Sequence, residues 1–312
     1  MGRVEYTLVP DDTTLHGFFD PDAAPVLTID PGDTVTFRTL DCWWRTGAQP
    51  GLDPSLWERV PQHRTGYGHA LIGPVAVRGA RPGTTLVVNV DAVVPGAYGA
   101  TVAGGRPTPF TEAYGLLDEY AVLDWTLDPA AMRGVNQFGH RVALRPFMGV
   151  LGMPPAEPGR HSTIPPRAHG GNLDLKDLVA GSTLYLPVPV DGALFSVGDG
   201  HAAQGDGEVG GTAVECPMER VTLTFDLRDD LPIGGPVVRS GGAWLTLGLG
   251  DTVDAAMYQA LNAMFDLMGR EHGVKRAEAA ALASVAVDLR ITQIVNRTVG
   301  AHAVLRDGVL DA

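Results

Sequence analysis

Forty glycines and 24 prolines interrupt the 312 residues of this chain, about one position in five against roughly 12% in average usage. Long helices of the bundle or coiled-coil kind do not tolerate that density of breakers, whereas short strands joined by tight turns require it. Hydrophobic residues make up 45% of the chain, enough for the core of one or two ordinary domains. The expected architecture is therefore mainly β.

The turn signals fall between apolar runs rich in β-branched residues. Residues 26–29, Pro31-Gly32-Asp33 and residues 34–37 read as strand, turn and strand, and the pattern recurs at residues 75–77, Ala80-Arg81-Pro82-Gly83 and residues 84–90. Two Pro-Gly hairpins of the same design are thus expected. Further strands are expected near 121–127, 141–144, 183–188, 194–197 and 221–225. After residue 240 the character changes. Apolar residues at helical spacing (Ala256, Leu261, Met264, Phe265, Met268) predict a helix over 252–269 with Gly269 as its stop, and an Ala-rich helix is expected over 276–287. The division expected from these shifts is an N-terminal β domain over 1–145, a central β domain over 146–240 and a C-terminal α+β subdomain over 241–312.

Charge and cysteine content narrow the function classes. Thirty-six acidic against 23 basic residues give a formal charge of −13, so the net field repels a phosphate backbone and nucleic acid is not an expected partner. No apolar run reaches the roughly 18 residues of a membrane span, and the first residues lack a basic then apolar signal, so no membrane partner and a cytoplasmic location are expected. Cys42 and Cys216 cannot make a disulfide framework and neither sits in a CxxC pair. With only Lys176 and Lys275 as lysines, a serine amidase activated by lysine is poorly supported, and neither GxGxxG nor GxxxxGK[ST] occurs.

The densest chemistry lies in Gly198-Asp199-Gly200-His201-Ala202-Ala203-Gln204-Gly205-Asp206-Gly207-Glu208. Charged groups this close together are costly to bury unless something pairs them. In an extended chain Asp199 and His201 share one face, Asp206 and Glu208 repeat the spacing, and carboxylate with imidazole suits a divalent ion such as zinc. A surface turn is the competing interpretation. The position directly after the apolar residues 193–195 favours a functional loop instead. A second segment, His169-Gly170-Gly171-Asn172-Leu173-Asp174, places Asn172 and Asp174 on one face, although locally a Gly-Gly turn with an Asn cap fits as well. Asp41 and His69 are weaker candidate ligands, each equally compatible with a structural role.

Taken in order, these motifs resemble the acetamidase/formamidase family. The matching pieces are Pro31-Gly32-Asp33 with Asp41, Ile72-Gly73-Pro74-Val75 with Ala80-Arg81-Pro82-Gly83, Gly149-Val150-Leu151-Gly152, Gly170-Gly171-Asn172-Leu173-Asp174, Leu184-Tyr185-Leu186-Pro187-Val188, Gly192-Ala193-Leu194-Phe195, Gly198-Asp199-Gly200-His201 through Glu208, and Asp288 to Asn296. The resemblance implies a sandwich- or barrel-like β fold with a smaller α+β part. It also implies hydrolysis of a short linear amide, of the formamide or acetamide type, to carboxylate and ammonia, with a cyclic-amide hydrolase or a non-catalytic ligand-binding homologue as the alternatives. A divalent metal is implied as cofactor, zinc first and calcium second, held among Asp41, His69, Asp199, His201 and Asp206. Glu208 or Asp174 would act as the base. Asn172, or the N–H groups of Gly170 and Gly171, would meet the oxyanion, and Gln204 would contact substrate. A homo-oligomer, most simply a dimer, is expected. The segment Asp41-Cys42-Trp43-Trp44-Arg45 departs from the small polar residues of the family, which would narrow the pocket or line it for a larger amide.

Overall fold

The computed structural model describes residues 3–64 and 68–310. Three sheets carry the fold. A nine-stranded sheet runs in the order Glu5–Leu8, Thr34–Thr39, Met218–Arg228, Thr85–Pro95, Thr183–Pro187, Val237–Ser240, Ala243–Gly250, Val299–Arg306, Val287–Gln293. All its neighbours are antiparallel except the first pair. A six-stranded sheet takes Gly170–Asn172, Phe147–Gly152, Phe195–His201, Leu71–Val77 and Leu15–His16 in that order, with Leu27–Ile29 alongside Leu71–Val77. Arg141–Ala143, Arg133–Asn136, Tyr120–Asp128 and Tyr98–Gly104 form a four-stranded meander. The nine-stranded sheet draws on residues before 145, between 146 and 240, and after 240. The fold is thus mostly β with a few helices.

The two Pro-Gly turns are not hairpins. The turn at Pro31-Gly32 leads from Leu27–Ile29 in the six-stranded sheet to Thr34–Thr39 in the nine-stranded one, and that at Pro82-Gly83 leads from Leu71–Val77 to Thr85–Pro95 across the same divide. Both glycines sit at φ +94°, open to glycine and costly to other residues. The residue that follows closes each turn: Asp33 accepts from the N–H groups of Asp30 and Val4 at 3.0 and 2.9 Å, and Thr84 donates to the Arg81 carbonyl at 2.8 Å. The sequence repeat is therefore a repeated crossing between layers. It clamps the sheets over one apolar core that includes Ile29, Phe37, Ile72, Leu86, Leu151, Val197 and Leu223. Phe195 and Phe225 meet edge to face across the layers, 5.1 Å between centroids.

The opposite face of the nine-stranded sheet is covered by two helices, Val253–His272 and Arg276–Ala286, through Ala260, Met264, Leu267, Met268, Ala279 and Ala283 packed on Val237, Ala303 and Leu305. Thr252 caps the first helix by accepting from the Ala255 N–H at 3.2 Å. The expected stop at Gly269 is overrun by one turn. The helix ends at Gly273, in the left-handed region, whose N–H donates to the Gly269 carbonyl at 3.1 Å. Among the described residues no helix is long and apolar enough to cross a membrane.

On the face of the sheet away from the helices His302 is fully buried, with Nδ1 2.8 Å from the Thr292 hydroxyl. Burial, opposed by the nearby Asp177 carboxylate, pulls its pKa down to about 4. An unfolded chain binds a proton near pH 6.5 while the folded one does not, so this contribution to stability is complete above pH 6.5 and is lost as the pH falls towards 4. His302→Asn is expected to flatten the acid limb of stability by up to about 3 kcal/mol between pH 7 and 4, read from urea midpoints. Parallel pH profiles for variant and wild type would show that His302 does not titrate this way.

Candidate active site

One end of the six-stranded sheet gathers the charged residues. Strand Phe195–His201 carries Asp199 and His201, its neighbour Phe147–Gly152 runs antiparallel to it, and Gly170–Asn172 on the far side leads into Asp174. The chain then returns twice: Glu208 follows in the loop, and Glu215 forms isolated bridges with both Ala100 and His201. Asp174, Asp199, His201, Glu208 and Glu215 are each no more than 7% exposed. Four buried carboxylates thus face a single buried imidazole.

The distances define the cluster. His201 Nε2 lies 3.0 Å from Glu215 Oε2 and 3.4 Å from Asp199 Oδ1, while Nδ1 lies 2.9 Å from Gln204 Oε1 and 3.9 Å from Asp174 Oδ1. His69 Nε2 stands 3.9 Å from Asp199 Oδ2, and its Nδ1 is 2.9 Å from the Thr163 hydroxyl. Asn296 donates its amide to Asp174 Oδ2, and Gln204 donates to the Asp174 carbonyl at 2.9 Å. Because Gln204 Oε1 can only accept, Nδ1 donates to it, and the ring is turned so that Nε2 faces Asp199 and Glu215. Phe147 packs edge to face on the ring at 5.1 Å.

The backbone is bent to reach this arrangement. Asp174, Asp199 and Glu208 have φ of +47°, +59° and +46°, so among the described residues three of the eight non-glycine residues with positive φ are carboxylates of one cluster. Such conformations persist only where the surroundings enforce them, and they concentrate at functional sites. Gly149 supplies the floor. A Cβ there would lie 2.5 Å from Asp199 Oδ2, 2.6 Å from Asp174 Oδ1 and 3.0 Å from His201 Cε1.

The groups perturb one another strongly. Burial lifts the Glu208 carboxyl well above its ordinary range, with Asp174 adding to the effect, and burial lifts Glu215 to about 7. Burial also raises Asp174. Asp199 goes the other way: burial favours its neutral form, yet His69 and His201 hold it well below the carboxylate range. At His201 burial opposes a charge, and Glu215 and Asp199 overcome it, so the imidazole is held far above its usual value. The cluster as a whole attracts positive charge.

A cation fits that demand. Asp174 Oδ1, His201 Nε2, Glu208 Oε2 and Glu215 Oε2 are buried without a hydrogen-bond partner. In tetrahedral coordination with bonds of about 2.0–2.2 Å, neighbouring ligand atoms stand roughly 3.3–3.6 Å apart, a range that includes the 3.4 Å from Nε2 to Asp199 and lies a little above the 3.0 Å to Glu215. Cys42, Asp199 and Glu215 each offer a ligand atom with all three within 4.8 Å of one another, as do Asp174, His201 and Glu208.

Of the residues expected at the site, Asp174, Asp199, His201, Glu208 and Gln204 are brought together and His69 stands beside them. Asp41 is not available. Arg45 Nε sits 2.5 Å from its Oδ2, and the N–H groups of Trp43 and Arg45 donate to Oδ1 at 3.1 and 3.0 Å. Asp206 faces outward to Lys176 and Arg290, both at 2.9 Å, because Gly207 pairs with Gln293 and separates it from Glu208. Asn172 is buried and gives its Nδ2 to the Ile164 carbonyl at 3.1 Å, leaving Oδ1 without a partner. The Gly170 N–H is taken by the Arg167 carbonyl at 3.0 Å, and Gly171 pairs with Leu151. Sequence reasoning missed Glu215, Gly149 and Asn296. The last two lie within motifs that it singled out, whereas Glu215 stands in an otherwise apolar run with no local signal.

The cluster borders a cavity of about 630 Å³ lined by Cys42, Trp43, Trp44, Arg59, His63, Arg64 and Gly68. Its wall is fixed: Trp44 is held at φ +66° with Nε1 donating to the Gly68 carbonyl at 2.8 Å.

Comparison with known proteins places the chain among hydrolases that act on C–N bonds outside peptides. It belongs to the acetamidase/formamidase family, whose model matches residues 4–162 and 156–305. It is similar to the crystal structure of an acetamidase from Bacillus halodurans, at 30% identity and a TM-score of 0.84, over 96% of this chain and 97% of that one. A formamidase of Methylophilus methylotrophus is 30% identical over 248 residues, 64% of this chain and 60% of that protein, so the chain spans about three fifths of that relative's length. A γ-lactamase from Delftia acidovorans, at 23% identity and a TM-score of 0.64, shares the fold.

The space at Gly149 gives a direct check on the geometry. Gly149→Ala is expected to push Asp199 and Asp174 apart and lower amide turnover by about 10²-fold while leaving the circular dichroism spectrum unchanged. Wild-type turnover in that variant would mean that the floor is not needed.

Proposed function

We propose that the chain hydrolyses a short linear amide to carboxylate and ammonia with the help of a divalent metal, zinc before calcium. The single observation that carries this reading is the buried group of unpartnered atoms around His201. His201 through Nε2, Asp199 and Glu215 would hold the ion, with Gln204 on Nδ1 orienting the ring from behind. When bound, such an ion polarises the amide carbonyl and lowers the pKa of the attacking water.

The remaining groups handle protons and substrate. Glu208, raised by burial and by Asp174, has the affinity of a group that takes a proton from water and returns it to the leaving nitrogen. Asp174, fixed by Asn296, sets that affinity through its charge. Asn172 Oδ1 is an acceptor, so it suits the amide N–H of a substrate and not its oxyanion, and the engaged Gly170 N–H does not serve there either. His69 steadies Asp199 from the outer side.

The test is ammonia release from formamide, acetamide and a γ-lactam, with metal content measured on the same sample before and after chelation. Stoichiometric metal, turnover of the linear amides and its loss on chelation are expected. Full turnover after complete metal removal would overturn the metal-assisted reading. Glu208→Gln should lower the rate by roughly 10² to 10⁴ with metal retained, and an unchanged rate would remove Glu208 from proton transfer.

A further inference from the structure

The cavity beside the cluster is much larger than the smallest amides need. Its volume of about 630 Å³, open to one side, leaves room for a substrate several times the size of acetamide. Its two ends also differ in charge. At the floor, Cys42 lies beside the carboxylates of Asp199 and Glu215. At the mouth stand Arg59 and Arg64, and among the described residues neither pairs with a carboxylate, in a chain whose net charge is −13. The Arg59 side chain is held in place, since its Nη1 and Nη2 donate to the Trp57 and Pro54 carbonyls at 3.1 and 2.8 Å, with N–H groups to spare. Between the ends Trp43 and Trp44 provide apolar walls.

We infer that Arg59 and Arg64 select amides whose acyl chain ends in a carboxylate, the monoamides of short dicarboxylic acids. The arginines set the orientation. They receive the carboxylate at the outer end of the cavity, the methylene chain lies along Trp43 and Trp44, and the amide reaches the end beside Cys42 and the cluster. Cleavage of such a substrate adds water across the C–N bond and yields a dicarboxylate and ammonia. This inference rests on the amide-hydrolase reading above and assigns the substrate class of the same site.

Succinamate and its neutral counterpart butyramide provide the test. Wild type is expected to have the higher kcat/KM for succinamate, and the ratio of the two kcat/KM values is expected to fall about tenfold in Arg59→Gln and in Arg64→Gln. A preference for butyramide, or a ratio unchanged in both variants, would overturn the inference while leaving amide hydrolysis intact. If neither is cleaved while formamide or acetamide is, the inference fails and amide hydrolysis stands; if none of the four is cleaved, the hydrolase reading fails by itself. Calorimetric titration with succinate then decides the arginine site: binding weakened severalfold in both variants supports it, and no binding or equal affinity in wild type and variants rejects it.

Discussion

Burying negative charge is the constraint around which the rest of this structure is organised. Asp174, Asp199, Glu208 and Glu215 are withdrawn from water around one imidazole, and like charges in a medium of low polarity repel strongly unless a cation lies among them. The pKa directions express the same tension. Three of the carboxyls are driven towards their neutral forms while Asp199 and His201 are driven towards charge. A group that attracts positive charge so strongly, with several ligand atoms left unpartnered, has the chemistry of a metal centre.

Holding such a cluster requires a stiff frame. Two sheets joined by repeated crossings at Gly32 and Gly83 and packed on one core leave the strand carrying Asp199 and His201 no freedom to relax. The left-handed backbone at Asp174, Asp199 and Glu208 is sustained by that rigidity. Gly149 then allows two carboxylates and the imidazole to converge at one point of the sheet where any side chain would intrude. A different ion pair, Asp41 with Arg45, stiffens the wall of the cavity. Its guanidinium lies 4.4 Å over the Trp57 ring and 5.4 Å from that of Trp43.

Much of this was legible in the chain, and the failures have a common cause. Alternating apolar runs located the strands, and the motif around Asp199 and His201 located the heart of the site, because both signals are local. Pairing is not local. The turns at Pro31-Gly32 and Pro82-Gly83 look like hairpin turns, yet whether the next strand pairs with its neighbour or crosses to another sheet depends on partners far along the chain. Asp206 and Glu208 share a spacing but not a direction, since the bridge from Gly207 to Gln293 forms with a strand 86 residues away. Asp41 was read as a ligand because the buried arginine that engages it was not visible as its partner. Glu215 reaches His201 through a bridge that no short motif announces.

The central claim is that a cation belongs between His201 Nε2, Asp199 and Glu215. The most direct measurement is anomalous diffraction from crystals of the protein purified with its native metal, collected at the absorption edge of the metal found. The account predicts one peak at about 2.0–2.2 Å from His201 Nε2 and from an oxygen of each carboxylate. An active enzyme with no peak there, or with its metal bound only at Asp206 or elsewhere on the surface, would contradict it.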